Sequence, residues 1–282
     1  MFLQPASIAA ALDLMTQHGG RLLAGGTDFF PALGQQVPVQ PVIDISRLAE
    51  LRGITLDDSG YRIGAAARWS EIVAHPLPRC FDGLKAAARE VGSIQIQNRG
   101  TIGGNLCNAS PAADSVPPLL TLDAKVELAS PGGVRQIPLA DFILGNRRTA
   151  LRPSEIVTAV LVPRNVAHHA SHFSKLGARR YLVISIAMVA VTLAVEDGKI
   201  ADARIAIGSC SAVAQRMPRI EQALIGALAD GDLAECVTAS QFSELAPIDD
   251  VRATAAYRRD SALTLTRRAI VDCLHSATSA RG

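Results

Sequence analysis

Two glycine pairs constrain this chain most. One is Ala24-Gly25-Gly26-Thr27-Asp28; the other is Thr101-Ile102-Gly103-Gly104-Asn105, running on into Leu106-Cys107-Asn108-Ala109-Ser110-Pro111-Ala112-Ala113-Asp114. Without a Cβ, the backbone enters positive-φ conformations at little cost and can lie close to a neighbour or a ligand. Successive amides turned towards one point make a concave row of donors suited to an anion, phosphate above all. Two such loops, with Thr27 and Asp28 beside the first and Asn105, Asn108 and Asp114 beside the second, point to a ligand with two phosphates and hence to a nucleotide cofactor. No G-x-G-x-x-G opens a helix and no G-x-x-x-x-G-K-[ST] is present. The expectation is dinucleotide binding by backbone loops, by neither the Rossmann nor the P-loop solution.

A length of 282 residues suggests two domains. With 49% hydrophobic and 19% charged residues there is apolar material for real cores. The 28 basic and 26 acidic side chains leave a net charge of +2, which argues against nucleic acid as a main partner. Five dispersed cysteines without a C-x-x-C pair fit neither a disulfide framework nor an iron–sulfur or structural zinc site, and suit a reducing compartment. The start of the chain lacks a basic n-region, so no signal peptide is read. The longest apolar stretch, Tyr181 to Val195, is ~15 residues, short of the ~20 that span a bilayer. The chain reads as soluble and cytoplasmic, with no membrane partner.

The hydropathy pattern predicts a helix after Ser7, a strand at Arg21 to Leu23 feeding the first loop, and a strand at Pro41 to Ile45. Ile54 to Leu56 and Tyr61 to Ile63 form a hairpin pattern, as do Lys125 to Leu128 and Val134 to Ile137. Helical patterns cover Trp69 to Ala74 and Phe81 to Val91, and Glu155 to Val162 alternates like a strand. Polar Arg164 to His172 reads as a linker with solvated imidazoles at His168, His169 and His172. Beyond it, Ile184 to Val195 and Ile200 to Ile207 read as strands joined at Asp197-Gly198. Helices are expected at Pro218 to Ala229 and Asp249 to Ala277. Strands and helices mix without regular βαβ alternation, so the expected class is α+β.

Leu22 to Pro31 and Thr101 to Asp114 closely resemble the FAD-binding medium subunit of the molybdenum hydroxylases, relatives of xanthine dehydrogenase and carbon monoxide dehydrogenase. Asp141 to Arg147 is similar to that family's Gly-Tyr-Arg loop, with Asn146 in place of the frequent Tyr. Phe173 to Arg180 resembles its F-x-K…R-R entry to the C-terminal domain, and Arg252 to Arg259 its R-A-S-x-x-Y-R signature. The resemblance implies a two-subdomain FAD-binding domain of the vanillyl-alcohol-oxidase/PCMH type over 1–168, with subdomains of about 1–52 and 53–168. A smaller α+β flavoprotein domain with an antiparallel sheet would follow over 172–282.

By the same resemblance, Leu22, Leu23, Ala24, Gly25, Gly26, Thr27 and Asp28 would wrap the pyrophosphate of a non-covalent FAD. Thr101, Gly104 and Asn105 would close from the other side, and Asn108 and Asp114 would reach sugar, ribityl or flavin atoms. Gly92 and Ile96 would line the cavity nearby, and Cys107 would pack beside the flavin. Val157 and Lys175 would contact the isoalloxazine, where a cation such as Lys175 stabilises negative charge on the reduced ring. No metal ligand and no catalytic acid or base is expected here. The molybdenum cofactor and two [2Fe-2S] clusters would reside on a large and a small partner subunit. Electrons would reach FAD and leave to NAD⁺, oxygen or a quinone-type acceptor, and the C-terminal domain would dock or shield. The alternatives are a free-standing FAD-dependent reductase of the cell-wall-precursor type and a flavin-binding module without turnover.

Overall fold

The computed structural model describes residues 1–230 and 232–278. Residues 279–282 of the expected C-terminal domain lie outside it. The chain begins with β1 (Phe2–Leu3), α1 (Ile8–His18), β2 (Arg21–Leu23), α2 (Phe29–Leu33) and β3 (Val42–Asp44). The strands form a parallel sheet in the order β1-β3-β2. Ser7 caps α1 by accepting the Ala10 amide at 3.1 Å, and Gly19 ends it at φ 60°. The buried face of α1, Ala11 and Leu12, joins a small core with Ile43, Ile45 and Leu48. That packing fixes the end of β2, from which the first glycine loop departs.

Next come β4 (Ile54–Leu56), β5 (Gly60–Gly64), α3 (Trp69–Ala74), α4 (Asp82–Glu90), α5 (Ile94–Gln97), α6 (Ile102–Asn108) and α7 (Val116–Thr121). They are followed by β6 (Lys125–Ser130), β7 (Gly133–Pro138), α8 (Leu139–Phe142), β8 (Ile143–Gly145), β9 (Arg148–Thr149) and β10 (Ile156–Pro163). An antiparallel sheet runs β4-β5-β10-β6-β7. Its middle strand β10 is buried from Ile156 to Val160, as a strand covered on both faces must be. Trp69, Phe81, Leu84, Ile102, Leu106, Leu119 and Phe142 pack the core beside it.

The last third holds β11 (Ala170–Leu176), β12 (Ala187–Glu196), β13 (Lys199–Gly208), β14 (Gln215–Arg216), α9 (Pro218–Leu224) and α10 (Ala255–Thr278). The four strands pair antiparallel in chain order, and α10 lies across β11 and β12. The fold is α+β, with a mixed N-terminal part and an antiparallel sheet in the C-terminal part. Where the two parts meet, α7 packs on β12 and β13, and α4 on β11. Thr192 donates to Thr121 there at 2.9 Å, and the Gly83 amide donates to Ser171 at 2.8 Å. Asp123, held at φ 50° after α7, pairs with Arg204 and Arg216 at 2.7 Å each.

Four sequence expectations shift. α9 stops at Leu224 because Gly226 takes φ 83° and the next residues pair along β13, with the Ile200 amide donating to Ala227 at 3.0 Å. α10 starts at Ala255, since Asp250 accepts the Arg252 and Ala253 amides and holds a turn before it. The strand expected from Ile184 begins at Ala187, because Ser185 turns aside to Asp114. The expected linker is a 3-10 turn over Arg164–Val166 followed by β11. Its His169 is buried rather than solvated, with Nε2 at 2.9 Å from the Asp202 carboxylate.

Candidate functional site: a cleft between the glycine loops

The two glycine loops face each other across a cleft of about 720 Å³, within the ~300–1,000 Å³ of ligand sites. In the first loop, the amides of Gly25, Gly26, Thr27 and Asp28 have no hydrogen-bond acceptor among the described residues. A row of bare donors at a cleft wall suits the oxygens of a phosphate chain. Glycine is required here for two separate reasons. A Cβ on Gly25 would stand 2.1 Å from the Arg99 carbonyl oxygen, and Gly26 lies at φ 77° against the Phe30 ring. Arg21 adds a cation at the same end, stacked 4.9 Å over the Phe29 ring.

The second loop is a different device, which corrects the expectation of a second nest. It is the first turn of α6, and its amides are directed inward. Ile102 donates to Ala67, Gly103 to Ala65 at 2.9 Å, and Gly104 to the Thr101 hydroxyl at 3.1 Å. A Cβ on Gly103 would sit 2.7 Å from the Ala65 Cβ, so this glycine lets α6 touch the turn that follows β5. Gly104 is exposed to the cleft and leaves the approach clear. Beyond it, Asn105 accepts a hydrogen bond from Ser115 at 2.6 Å, fixing its amide in the cleft wall. At the mouth, Asn108 donates to Asp28 at 3.2 Å and accepts from Arg147, tying three separate segments together.

Of the expected site residues, Leu22, Ala24, Gly25, Gly26, Thr27, Asp28, Gly92, Ile96, Thr101, Gly104, Asn105, Asn108, Asp114 and Val157 all line this cleft. Leu23 does not; as the next residue along β2 it points to the other face and is 7% exposed. Lys175 also lies off the cleft, in a neighbouring cavity of about 340 Å³ that shares Glu90 and Val183 with it. The Lys175 ammonium reaches Asp114 at 2.7 Å, and Ser185 donates to the other carboxylate oxygen at 2.6 Å. Burial raises the Asp114 carboxyl above its usual range, opposed by the Lys175 charge and both hydrogen bonds and reinforced by Glu90. In the smaller cavity the other cations are also engaged, Arg179 with the Leu182 carbonyl and Arg180 over the Tyr181 ring.

Sequence reasoning missed Arg21, Glu90, Arg147 and the run Leu182-Val183-Ile184 as cleft residues. Arg147 stood in a noticed motif, whereas Leu182 to Ile184 carry no local signal and arrive from the far domain. Cys107 lines the cleft, and burial of its sulfur pushes the thiol up to about 12, which makes it a poor nucleophile at neutral pH. Among the described residues no group of three or more His, Cys, Asp or Glu is placed to hold a metal. No helix of the described residues is long and apolar enough to cross a membrane.

The residues fit FAD on the structure's own terms. The bare amides suit a pyrophosphate, Arg21 and Arg147 supply positive charge, and Asn105, Asn108 and Asp114 add polar side chains to the cleft lining. Residues 1–165 match the FAD binding domain in molybdopterin dehydrogenase, and residues 172–273 the CO dehydrogenase flavoprotein C-terminal domain. The chain is 33% identical over 278 residues to the xanthine dehydrogenase FAD-binding subunit of Escherichia coli O157:H7, covering 96% of this chain and 95% of that one. It is 33% identical over 282 residues to the nicotinate dehydrogenase FAD-subunit of Eubacterium barkeri, covering 97% and 95%. In structure it is similar to carbon monoxide dehydrogenase from Hydrogenophaga pseudoflava, with a TM-score of 0.89 at 28% identity over 98% of this chain and 97% of that chain. With both domain models matched and relatives aligned nearly end to end, the chain belongs to the FAD-binding medium subunits of the molybdenum hydroxylases, the xanthine and carbon monoxide dehydrogenase family.

Proposed function

We propose that this chain is the electron-transfer subunit of a heteromeric molybdenum hydroxylase, with its FAD in the cleft between the two glycine loops. Bound there, the flavin supplies a redox relay between iron–sulfur clusters on a small partner and an external acceptor such as NAD⁺, oxygen or a quinone. The substrate would be hydroxylated at a molybdenum cofactor on a large partner. The observation that carries this reading is the row of unpaired amides from Gly25 to Asp28, opening on a cleft long enough to be walled by both domains. Those amides would bind the pyrophosphate. Gly104 would admit the cofactor, Asn105 and Asn108 would orient it, and Val157 with the Leu182 to Ile184 run would exclude water from its apolar side. Lys175 would act from behind Asp114, its partner in the ion pair.

The test is to purify the chain alone and with its two expected partners, supplying FAD. The expected result is a yellow protein whose flavin is reduced by an organic substrate only in the complex. A chain that takes up no FAD, or one that oxidises NAD(P)H with a small acceptor on its own, would overturn the reading.

A further inference from the structure

The signature Arg252 to Arg259 opens α10, on the far side of the C-terminal sheet from the glycine loops. Its Arg258 is 3% exposed, an unusual place for a guanidinium. One Nη donates to the Ile186 carbonyl at 2.6 Å and the Ser209 carbonyl at 3.2 Å, and the other to Asp250 at 2.7 Å. Ile186 directly precedes β12 and Ser209 directly follows β13, so one side chain joins the neighbouring ends of two paired strands. Ser209 is held at φ 61°, a left-handed conformation that a serine needs support to keep.

Both of those strand ends touch the same loop of the other domain. The Ser209 amide donates to the Pro111 carbonyl at 3.2 Å, and Ser185, one residue before Ile186, donates to Asp114 at 2.6 Å. Ser110, Ala112, Ala113 and Asp114 of that loop form a wall of the cleft. A buried charge is costly to desolvate, and an apolar residue would pack α10 as well. What the guanidinium adds is a fixed distance between two carbonyls, and through them between two anchors of the cleft wall.

We propose that Arg258 is a positioning residue for the cofactor cleft. Through the Ile186 and Ser209 carbonyls it sets where Ser185 and Ser209 hold the 110–114 loop, and Asp250 holds Arg258 in turn. The C-terminal domain thereby shapes the cleft from behind, in addition to lending Leu182, Val183 and Ile184 to its wall. The inference rests on reading the cleft as the FAD site, but the wiring it describes is a property of the chain without cofactor.

The experiment compares the full chain with R258M, R258K, D250N and, as a control on the same helix, R267M. Arg267 donates to the Val237 carbonyl and pairs with Glu235 at 3.9 Å, both inside the C-terminal domain. Amide hydrogen exchange is followed by peptide without FAD, then FAD affinity by titration. R258M is expected to speed exchange in peptides covering 109–116 and 182–187 by about tenfold, the loss of roughly one charge-assisted hydrogen bond. FAD binding should weaken by about tenfold, with R258K recovering part and D250N intermediate. R267M should lower the melting temperature and leave both readouts unchanged. Unchanged exchange over 109–116 in R258M and D250N, or the same response in R267M, would overturn the proposal. Should R258M not fold, R258K and D250N decide it by the same two readouts. A wild-type chain that binds no FAD would sink the cofactor reading, while the exchange data would still decide the wiring.

Discussion

Lys175 and Asp114 meet at 2.7 Å from opposite halves of the chain, with side chains only 7% and 8% exposed. The pair carries no net charge, so the Lys175 cation expected against a flavin is already matched by Asp114. Removing one partner leaves the other buried and uncompensated. Lys175→Met should cost about 3–5 kcal/mol in urea denaturation. Adding Asp114→Asn to it should return part of that loss. Independent, additive losses for the two changes would show that the pair does not couple.

Gly25→Ala places a methyl group 2.1 Å from the Arg99 carbonyl oxygen, backbone that cannot yield without moving the loop. A destabilisation of about 1–3 kcal/mol is expected, with loss of FAD uptake measured by equilibrium dialysis. Gly132→Ala is the matched control. Its nearest neighbour would be the Ser130 hydroxyl at 3.7 Å, and stability should change by less than about 1 kcal/mol.

His169 makes stability depend on pH in a defined window. Burial lowers its imidazole below the ordinary 6.5, against the pull of Asp202. The unfolded chain therefore binds the proton first. Stability should fall as pH drops from about 6.5 through the lowered folded value, and be insensitive to this group above about 6.5. His172 is lowered for the same leading reason and adds to the slope. Asp202 is itself held below 3.8 and titrates outside the window. In thermal melts from pH 7.5 to 5, His169→Gln should flatten the decline; an unchanged slope would exclude His169 as its source.

Cys107 is exposed to the cleft, yet its thiol sits at about 12. At pH 8 its thiolate is only about one part in ten thousand, so alkylation should be slow despite access. Peptide mapping after iodoacetamide should find it modified far more slowly than a free thiol, and more slowly still with FAD present. Rapid labelling unaffected by FAD would place Cys107 outside the occupied volume.

Local chemistry was legible and long-range chemistry was not. Ser7 and Asp197-Gly198 mark their elements because capping and turn formation act within a few residues, whereas β10, expected to alternate, is buried continuously from Ile156 to Val160. The α9 end was misread although Gly226 was visible, because the competing partner, the edge of β13, is distant in sequence. Both glycine loops were located correctly, but only the first is a row of free amides. Nothing in Ile102-Gly103-Gly104 reveals that its donors are claimed by Ala65, Ala67 and Thr101. In the sequence His169 reads as a solvated linker residue, since its partner, Asp202, lies two strands away.

The seam between the two matched segments has one more consequence. α7 is contributed by sequence before the seam, yet β12 and β13 from beyond it cover α7, as β11 covers α4. A cut near residue 168 would strip both helices of apolar cover and break the Asp123 pairs with Arg204 and Arg216. The two matched segments are thus expected to unfold as one cooperative unit. Calorimetry should show a single melting transition for the full chain, and neither half expressed alone should stay in solution.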